Sequence, residues 1–201
     1  MGLAPRIVAV LCVGWLGMLP AAYAADPTGG IVGEIQAKPA KYREHVVVHL
    51  ERVAGSFRPP PQPVVYDQKG MRFTPHVMPI LRGTQVRFLN SDTVRHNVFT
   101  PDGDAYNLGT WGQGESQTKM FARSGVYRQL CNIHPEMEGF IVVLDNPHFT
   151  VTGEDGKFRL EGVPPGTYTL RAWSEKLPAV TQSVTVTAGA TTTAKLELRK
   201  P

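Results

Sequence analysis

The chain has 201 residues and a net charge of +4, with 42% hydrophobic and 19% charged residues, 20 Gly and 17 Pro. That balance excludes collagen-like, coiled-coil and strongly disordered chains and leaves a globular protein of one or two domains. The mild basic excess is spread along the chain, so it names no nucleic acid or other polyanion as a partner.

Met1–Arg6 is short and basic, Ile7–Pro20 is apolar, and Ala22-Tyr23-Ala24 is a small-x-small cleavage site. This pattern predicts a secretory signal peptide over residues 1–24, export to the periplasm, and no stable membrane insertion after cleavage. Cys12 leaves with the signal, so Cys131 becomes the single thiol of the exported chain. A lone cysteine in an oxidising compartment is buried, paired with another chain, or bound to something. Loss of Arg6 lowers the net charge to +3.

Beyond the signal the chain reads as all-β. Ile31–Ile35 and His45–Val53 are strand-like, the second alternating Val46, Val48 and Leu50 with His45, Val47, His49 and Glu51. That alternation predicts one apolar face. The run Pro59-Pro60-Pro61-Gln62-Pro63 cannot join a central sheet and predicts an extended connector. Further strands are expected at 64–66, 71–73, 77–81, 85–90, 97–99, 117–121, 125–130 and 139–144, a spacing that suits a sandwich or barrel. After Asp145-Asn146-Pro147 come strands at 149–151, 157–160, 168–173, 182–186 and 193–198. Asp155-Gly156 predicts a hairpin turn and Pro164-Pro165-Gly166 the next reversal. No segment keeps a helical period over ten residues.

One stretch carries chemistry. Cys131-Asn132-Ile133-His134-Pro135-Glu136-Met137 puts a thiol, an imidazole and a thioether within seven residues, and His96 lies 35 residues upstream. Soft sulfur with imidazole selects copper among common metals, and two His with one Cys and a weak axial Met is the blue-copper arrangement. A short loop at a strand end can present Cys, His and Met around one point, while the second His must come from a neighbouring loop. His45 and His49 on one strand raise the idea of a second metal site, but solvated or sheet-packed histidines account for them. His76 and His148 have no partner in the pattern and read as structural.

Met71-x-Phe73-x-Pro75, Gly83-Thr84-x-Val86, Phe88-x-Asn90-x-Asp92, His96-Asn97-Val98, Gly125-x-Tyr127 and Cys131-x-x-His134-x-x-Met137-x-Gly139 together resemble the cupredoxins, small type 1 copper proteins. The resemblance covers residues 64–144, and its short ligand loop is most similar to that of amicyanin. It implies a Greek-key β-sandwich holding one type 1 copper, Cu(I) or Cu(II), at His96, Cys131, His134 and Met137. Asn132 and Ile133 depart from the family's common residues at those places.

Phe149-x-Val151-Thr152, Asp155-Gly156-x-Phe158-x-Leu160, Gly162-Val163-Pro164-Pro165-Gly166 and Tyr168-x-Leu170 resemble the carboxypeptidase regulatory-like domain, a smaller Ig/transthyretin-like β-sandwich. The 55 residues from Pro147 onward are a poor basis for a core of their own. Gly30–Ile35 and Val46–Val53 resemble the strands that precede this hairpin in the family. The expectation is therefore a discontinuous sandwich, residues 29–53 and 147–200, with a cupredoxin copper domain at 55–146 inserted into it. Two consecutive domains are the alternative.

The resemblance implies a non-enzymatic periplasmic electron carrier, shuttling single electrons between redox proteins such as a dehydrogenase and a cytochrome. Copper delivery or sensing without electron turnover is the other reading. One Cys cannot build a two-thiolate binuclear centre, no His-x-His pair exists for a multicopper oxidase, and a filled type 1 site leaves no open coordination position.

Overall fold

The computed structural model describes residues 27–200, so the expected signal peptide lies outside the described residues. In chain order the strands are β1 (Gly29–Lys38), β2 (Val47–Glu51), β3 (Val64–Gln68), β4 (Phe73–Thr74), β5 (Val77–Leu81), β6 (Gln85–Asn90), β7 (His96–Thr100), β8 (Tyr106–Trp111), β9 (Ser116–Met120), β10 (Gly125–Leu130), β11 (Glu138–Leu144), β12 (Phe149–Val151), β13 (Lys157–Val163), β14 (Gly166–Trp173), β15 (Val180–Val186) and β16 (Thr191–Arg199). A single 3₁₀ turn, Ala40–Arg43, is the only helical element among the described residues. None of their helices is long and apolar enough to cross a membrane.

The strands make four sheets, ordered β13-β1-β16, β12-β2-β14-β15, β5-β11-β10-β7-β8 and β4-β3-β6-β9. The protein is all-β, two sandwiches, as the strand spacing predicts. The first core takes Ile31 and Ile35 from β1, Val48 and Leu50 from β2, Leu160 from β13, Leu170 from β14 and Leu198 from β16. Each such fully buried aliphatic side chain stabilises by about 1.5–3 kcal/mol. The second core draws on residues between Tyr66 and Val143, including Phe73, Phe88, Trp111, Phe121, Tyr127, Cys131 and Met137. The early strands β1 and β2 thus pair with late ones: β1 runs antiparallel to β13 and parallel to β16, and β2 lies between β12 and β14.

β16 shows why its sequence makes a half-buried strand. Ala194, Leu196 and Leu198 turn inward while Lys195, Glu197 and Arg199 turn out, the period of two that one solvated face requires. β11 differs: Gly139 to Leu144 are all buried. Ile141 and Val143 face the second core, while Phe140, Val142 and Leu144 meet Val47, Val77, Phe149, Val151 and Trp173 in a third cluster. A strand covered on both faces reads as a continuous apolar run.

The same cluster corrects the reading of β2. Val47 lies on the face expected to be polar, yet it is fully buried, because β5 and β11 of the other sandwich cover it. His45 also leaves the strand: its backbone is left-handed (φ 59°) and β2 begins at Val47, so His45 and His49 do not share a strand face. Asp155-Gly156 is a tight turn with Gly156 at φ 71°, but not a hairpin. β12 and β13 belong to different sheets, so the turn carries the chain from one layer to the other. The hairpin is β14–β15, paired from Gly166↔Val186 to Ala172↔Val180. β8 was not anticipated; its exposed Asn107, Gly109 and Thr110 hide the pattern.

The return from the second core is pinned. Asn146 donates to the Leu50 carbonyl (2.7 Å) and accepts the His148 N–H (3.0 Å), and His148 in turn accepts the Leu50 N–H (3.0 Å).

Candidate metal centre

β7 opens on His96, and the loop Cys131–Met137 joins β10 to β11. Leu130 of β10 pairs with Phe99 of β7, which sets the mouth of the loop beside the start of β7. The Met137 N–H donates to the His134 carbonyl (3.0 Å), closing a turn that brings both residues back toward Cys131. Three of the four expected residues converge: the Nδ1 atoms of His96 and His134 are 2.9 Å apart, and Cys131 Sγ is 3.9 Å from His134 Nδ1. One ligand atom from each of these three side chains lies within 4.8 Å of the others. Met137 is 1% exposed and packs in the same core cluster as Cys131.

Burial is graded across the site. His96 is 0% and Cys131 3% exposed, while His134 is half-buried and flanked by exposed Ile133 and Pro135. Val94, two residues before His96, is also exposed.

The shell around the donors fixes them. Asn97 donates its backbone N–H toward Cys131 Sγ (3.4 Å), which ties the sulfur to β7. Its side-chain amide donates to Asn107 Oδ1 (2.8 Å) and to the Gly109 carbonyl (2.7 Å), and its oxygen accepts the Asn132 N–H (3.3 Å). One residue therefore joins β7, β8 and the ligand loop. Asp92 holds the other side: Oδ2 meets His96 Nε2 at 2.8 Å and accepts the Met71 N–H at 3.0 Å, and Oδ1 accepts the Gly70 N–H at 2.7 Å. Burial raises the Asp92 pKa, but the Met71 and Gly70 amides and His96 outweigh it and leave the carboxyl below its ordinary value. The Asp92 contact at Nε2 orients the His96 ring so that Nδ1 faces His134 and the Cys131 loop.

Gly139 sits where no side chain fits. A β-carbon there would meet Tyr66 Oη, Phe73 Cβ and the His76 carbonyl, so the strand leaving the loop runs hard against β3 and β4. That close approach fixes the C-terminal end of the loop two residues after Met137.

The donor set fits copper: two imidazoles and a thiol converge, a buried thioether packs nearby, and no carboxylate is among them. The sequence singled out all four residues and did not assign the roles of Asp92 and Asn97. A carboxylate four residues before His96 was the available signal for the first. His76, read as unpartnered, in fact contacts Glu175 at 2.6 Å.

Residues 137–199 match the model of the carboxypeptidase regulatory-like domain. The match begins at Met137, one residue before β11, and leaves out β1 and β2. No curated protein matches the chain. Among solved structures, the copper-containing nitrite reductase of Thermus scotoductus SA-01 is 30% identical over 47% of this chain, with a TM-score of 0.41; the chain spans only 25% of that reductase. Amicyanin from Paracoccus versutus is 26% identical, over 42% of this chain and 84% of its own, with a TM-score of 0.39. A purple cupredoxin from Nitrosopumilus maritimus is 24% identical, over 40% of this chain and 99% of its own, with a TM-score of 0.37. Residues 137–199 are thus similar to the carboxypeptidase regulatory-like domain, and the solved structural neighbours of the chain include cupredoxins.

Proposed function

We propose that the exported chain is a periplasmic one-electron carrier that holds a single type 1 copper at His96, Cys131, His134 and Met137. Copper bound there supplies the Cu(I)/Cu(II) couple. The observation that carries the reading is the convergence of two imidazole Nδ1 atoms and a buried cysteine sulfur from two strands brought together by the β7–β10–β11 sheet. The chain's residues keep that arrangement rigid: Asn97 ties Cys131 to β7 and β8, Asp92 orients His96, and the surrounding core excludes water. A site held rigid loses little energy to rearrangement when an electron arrives or leaves.

His134, half-buried between the exposed Ile133 and Pro135, is the exit for electrons. Small, weakly apolar contacts suit brief encounters with a dehydrogenase or a cytochrome. Four donors filling the site leave no position for a substrate, so the reading contains no catalytic step. It also takes residues 29–53 with 147–200 as one scaffold sandwich into which the copper module, 55–146, is inserted; the pairing of β1 with β13 and β16 supports this.

The test is the visible and EPR spectrum of the mature protein after one equivalent of Cu(II), followed by stopped-flow reduction. An intense thiolate-to-copper band, a small copper hyperfine splitting and fast reversible reduction are expected, with the colour lost in Cys131→Ser. A pale adduct with ordinary tetragonal parameters would defeat the carrier reading. A coloured protein that exchanges its copper readily but passes electrons slowly would favour delivery or sensing.

A further inference from the structure

A second group of imidazole and carboxylate side chains lies where the two cores abut. We propose that His45, His76 and Glu175 form a separate site for a borderline divalent cation, Zn²⁺ or Cu²⁺, bridging the two sandwiches. The site shares no residue with the His96 cluster, so either reading can fail alone.

His76 comes from the copper side, in the turn between β4 and β5, and its backbone is fixed because its carbonyl accepts the Phe140 N–H (2.8 Å). Its Nε2 faces Glu175 Oε1 at 2.6 Å. Glu175 comes from the other sandwich, just after β14, and its side chain is 11% exposed. Lys176 Nζ sits 2.8 Å from the second carboxylate oxygen, Oε2, which leaves Oε1 turned toward His76. A buried carboxylate is an expensive group to keep unless it is paired or binds a cation.

His45 is the third member. Its left-handed backbone (φ 59°) is uncommon outside glycine, and it is held by its N–H to the Thr152 carbonyl (3.0 Å). A residue kept in such a conformation is a pointer to function. Here it brings the His45 ring to within 5.4 Å of the His76 ring, centre to centre, at 56°. The proposed copper pair, His96 and His134, stands at 4.8 Å and 67°. Glu44 Oε1 lies 3.5 Å from His45 Nε2 and offers a fourth donor.

The His45 donors have not closed on the other two: among the described residues only His96, Cys131 and His134 have three donors mutually within 4.8 Å. The His45 side chain is 44% exposed and free to turn, whereas His76 and Glu175 are already in contact. Two imidazoles with one or two carboxylates and no sulfur suit Zn²⁺ or Cu²⁺ rather than Cu⁺. The Lys176 ammonium opposes a cation there, which weakens the site and sets it apart from a permanently filled structural one. A cation so held would fasten residues 44–45 and 175 to residue 76, bracing the two cores beside Phe140.

The test is calorimetric titration of the Cys131→Ser/His134→Gln protein with ZnCl₂, with the thermal midpoint followed in parallel. One equivalent of Zn²⁺ should bind and raise the midpoint. His45→Asn, chosen because Asn tolerates a left-handed backbone, and Glu175→Gln should each weaken binding at least tenfold and remove the thermal gain. In the otherwise wild-type chain, the same His45→Asn change should lower the Zn²⁺ stoichiometry by one. Absence of saturable Zn²⁺ binding in the double variant, or binding that His45→Asn and Glu175→Gln leave unchanged, overturns the proposal.

Discussion

Replacing Asp92 by Asn keeps the shape of the side chain and removes its charge. The carboxylate now serves three donors, the Gly70 and Met71 amides and His96 Nε2, and it is 16% exposed. An amide has one oxygen, so if that oxygen keeps Met71 and His96, its NH₂ faces the Gly70 N–H and one bond is lost. The retained bonds fall from the charged class, about 1.5–3 kcal/mol, to the neutral class, about 0.5–1.5 kcal/mol. The expected cost is about 1–2 kcal/mol of stability, or about 2–8 °C in Tm for a chain of this size. At the proposed copper site, His96 loses the anionic partner that would make its ring a better donor to Cu(II). Outer-partner changes of this kind cost about 10–100-fold in metal affinity. A tenfold loss confined to Cu(II) raises the reduction potential by about 59 mV for one electron. Differential scanning calorimetry and protein-film voltammetry on the copper-loaded variant read the two effects separately. A lower Tm with an unmoved potential would refute the reasoning, because it would make Asp92 a clamp on the 69–71 turn with no influence on His96.

Three further outcomes are expected. Gly139→Ala should cost about 1–3 kcal/mol through overpacking against Tyr66 and Phe73, and should alter the EPR signal of the copper-loaded protein because the strand after the loop must move; an unchanged melting curve and spectrum would count against the close packing. Joining residue 54 to residue 147 through a short Gly linker should leave a cooperatively melting β-sandwich, and an unfolded product in circular dichroism would contradict the insertion. Burial lowers the His49 pKa, outweighing the Leu50 carbonyl and Glu51, which raise it. Because the folded value lies below the unfolded one of about 6.5, the stability it contributes is complete above that pH and is lost as pH falls through it toward the folded value. Between pH 7 and 5.5 the midpoint should therefore fall less steeply in His49→Gln than in the wild type, and identical slopes would refute this.

The meeting of His96, Cys131 and His134 was legible because thiol, imidazole and thioether donors are rare together in so short a stretch and lie in an order that one strand pair can converge. β16 was legible because its alternation is clean. Val47 was misread because periodicity records which faces are apolar, and the face that receives Val47 belongs to strands 30 residues and more away in sequence. The Asp155-Gly156 turn was placed correctly but its partners were not, since turn chemistry fixes a local reversal and says nothing of which sheet the next strand joins. The His45–His76–Glu175 group was invisible for the same reason: His76 and Glu175 are 99 residues apart, and only the packing of one core on the other makes them neighbours. Asp92 stood in the sequence four residues before His96, yet a carboxylate in a turn ordinarily reads as a solvated or turn-capping group.

Copper-edge anomalous diffraction from crystals of the mature protein loaded with one equivalent of copper tests the account most directly. The account predicts one dominant peak among His96 Nδ1, Cys131 Sγ and His134 Nδ1, with the Met137 sulfur on the axial side. A dominant peak elsewhere, or none within bonding reach of Cys131, would contradict it.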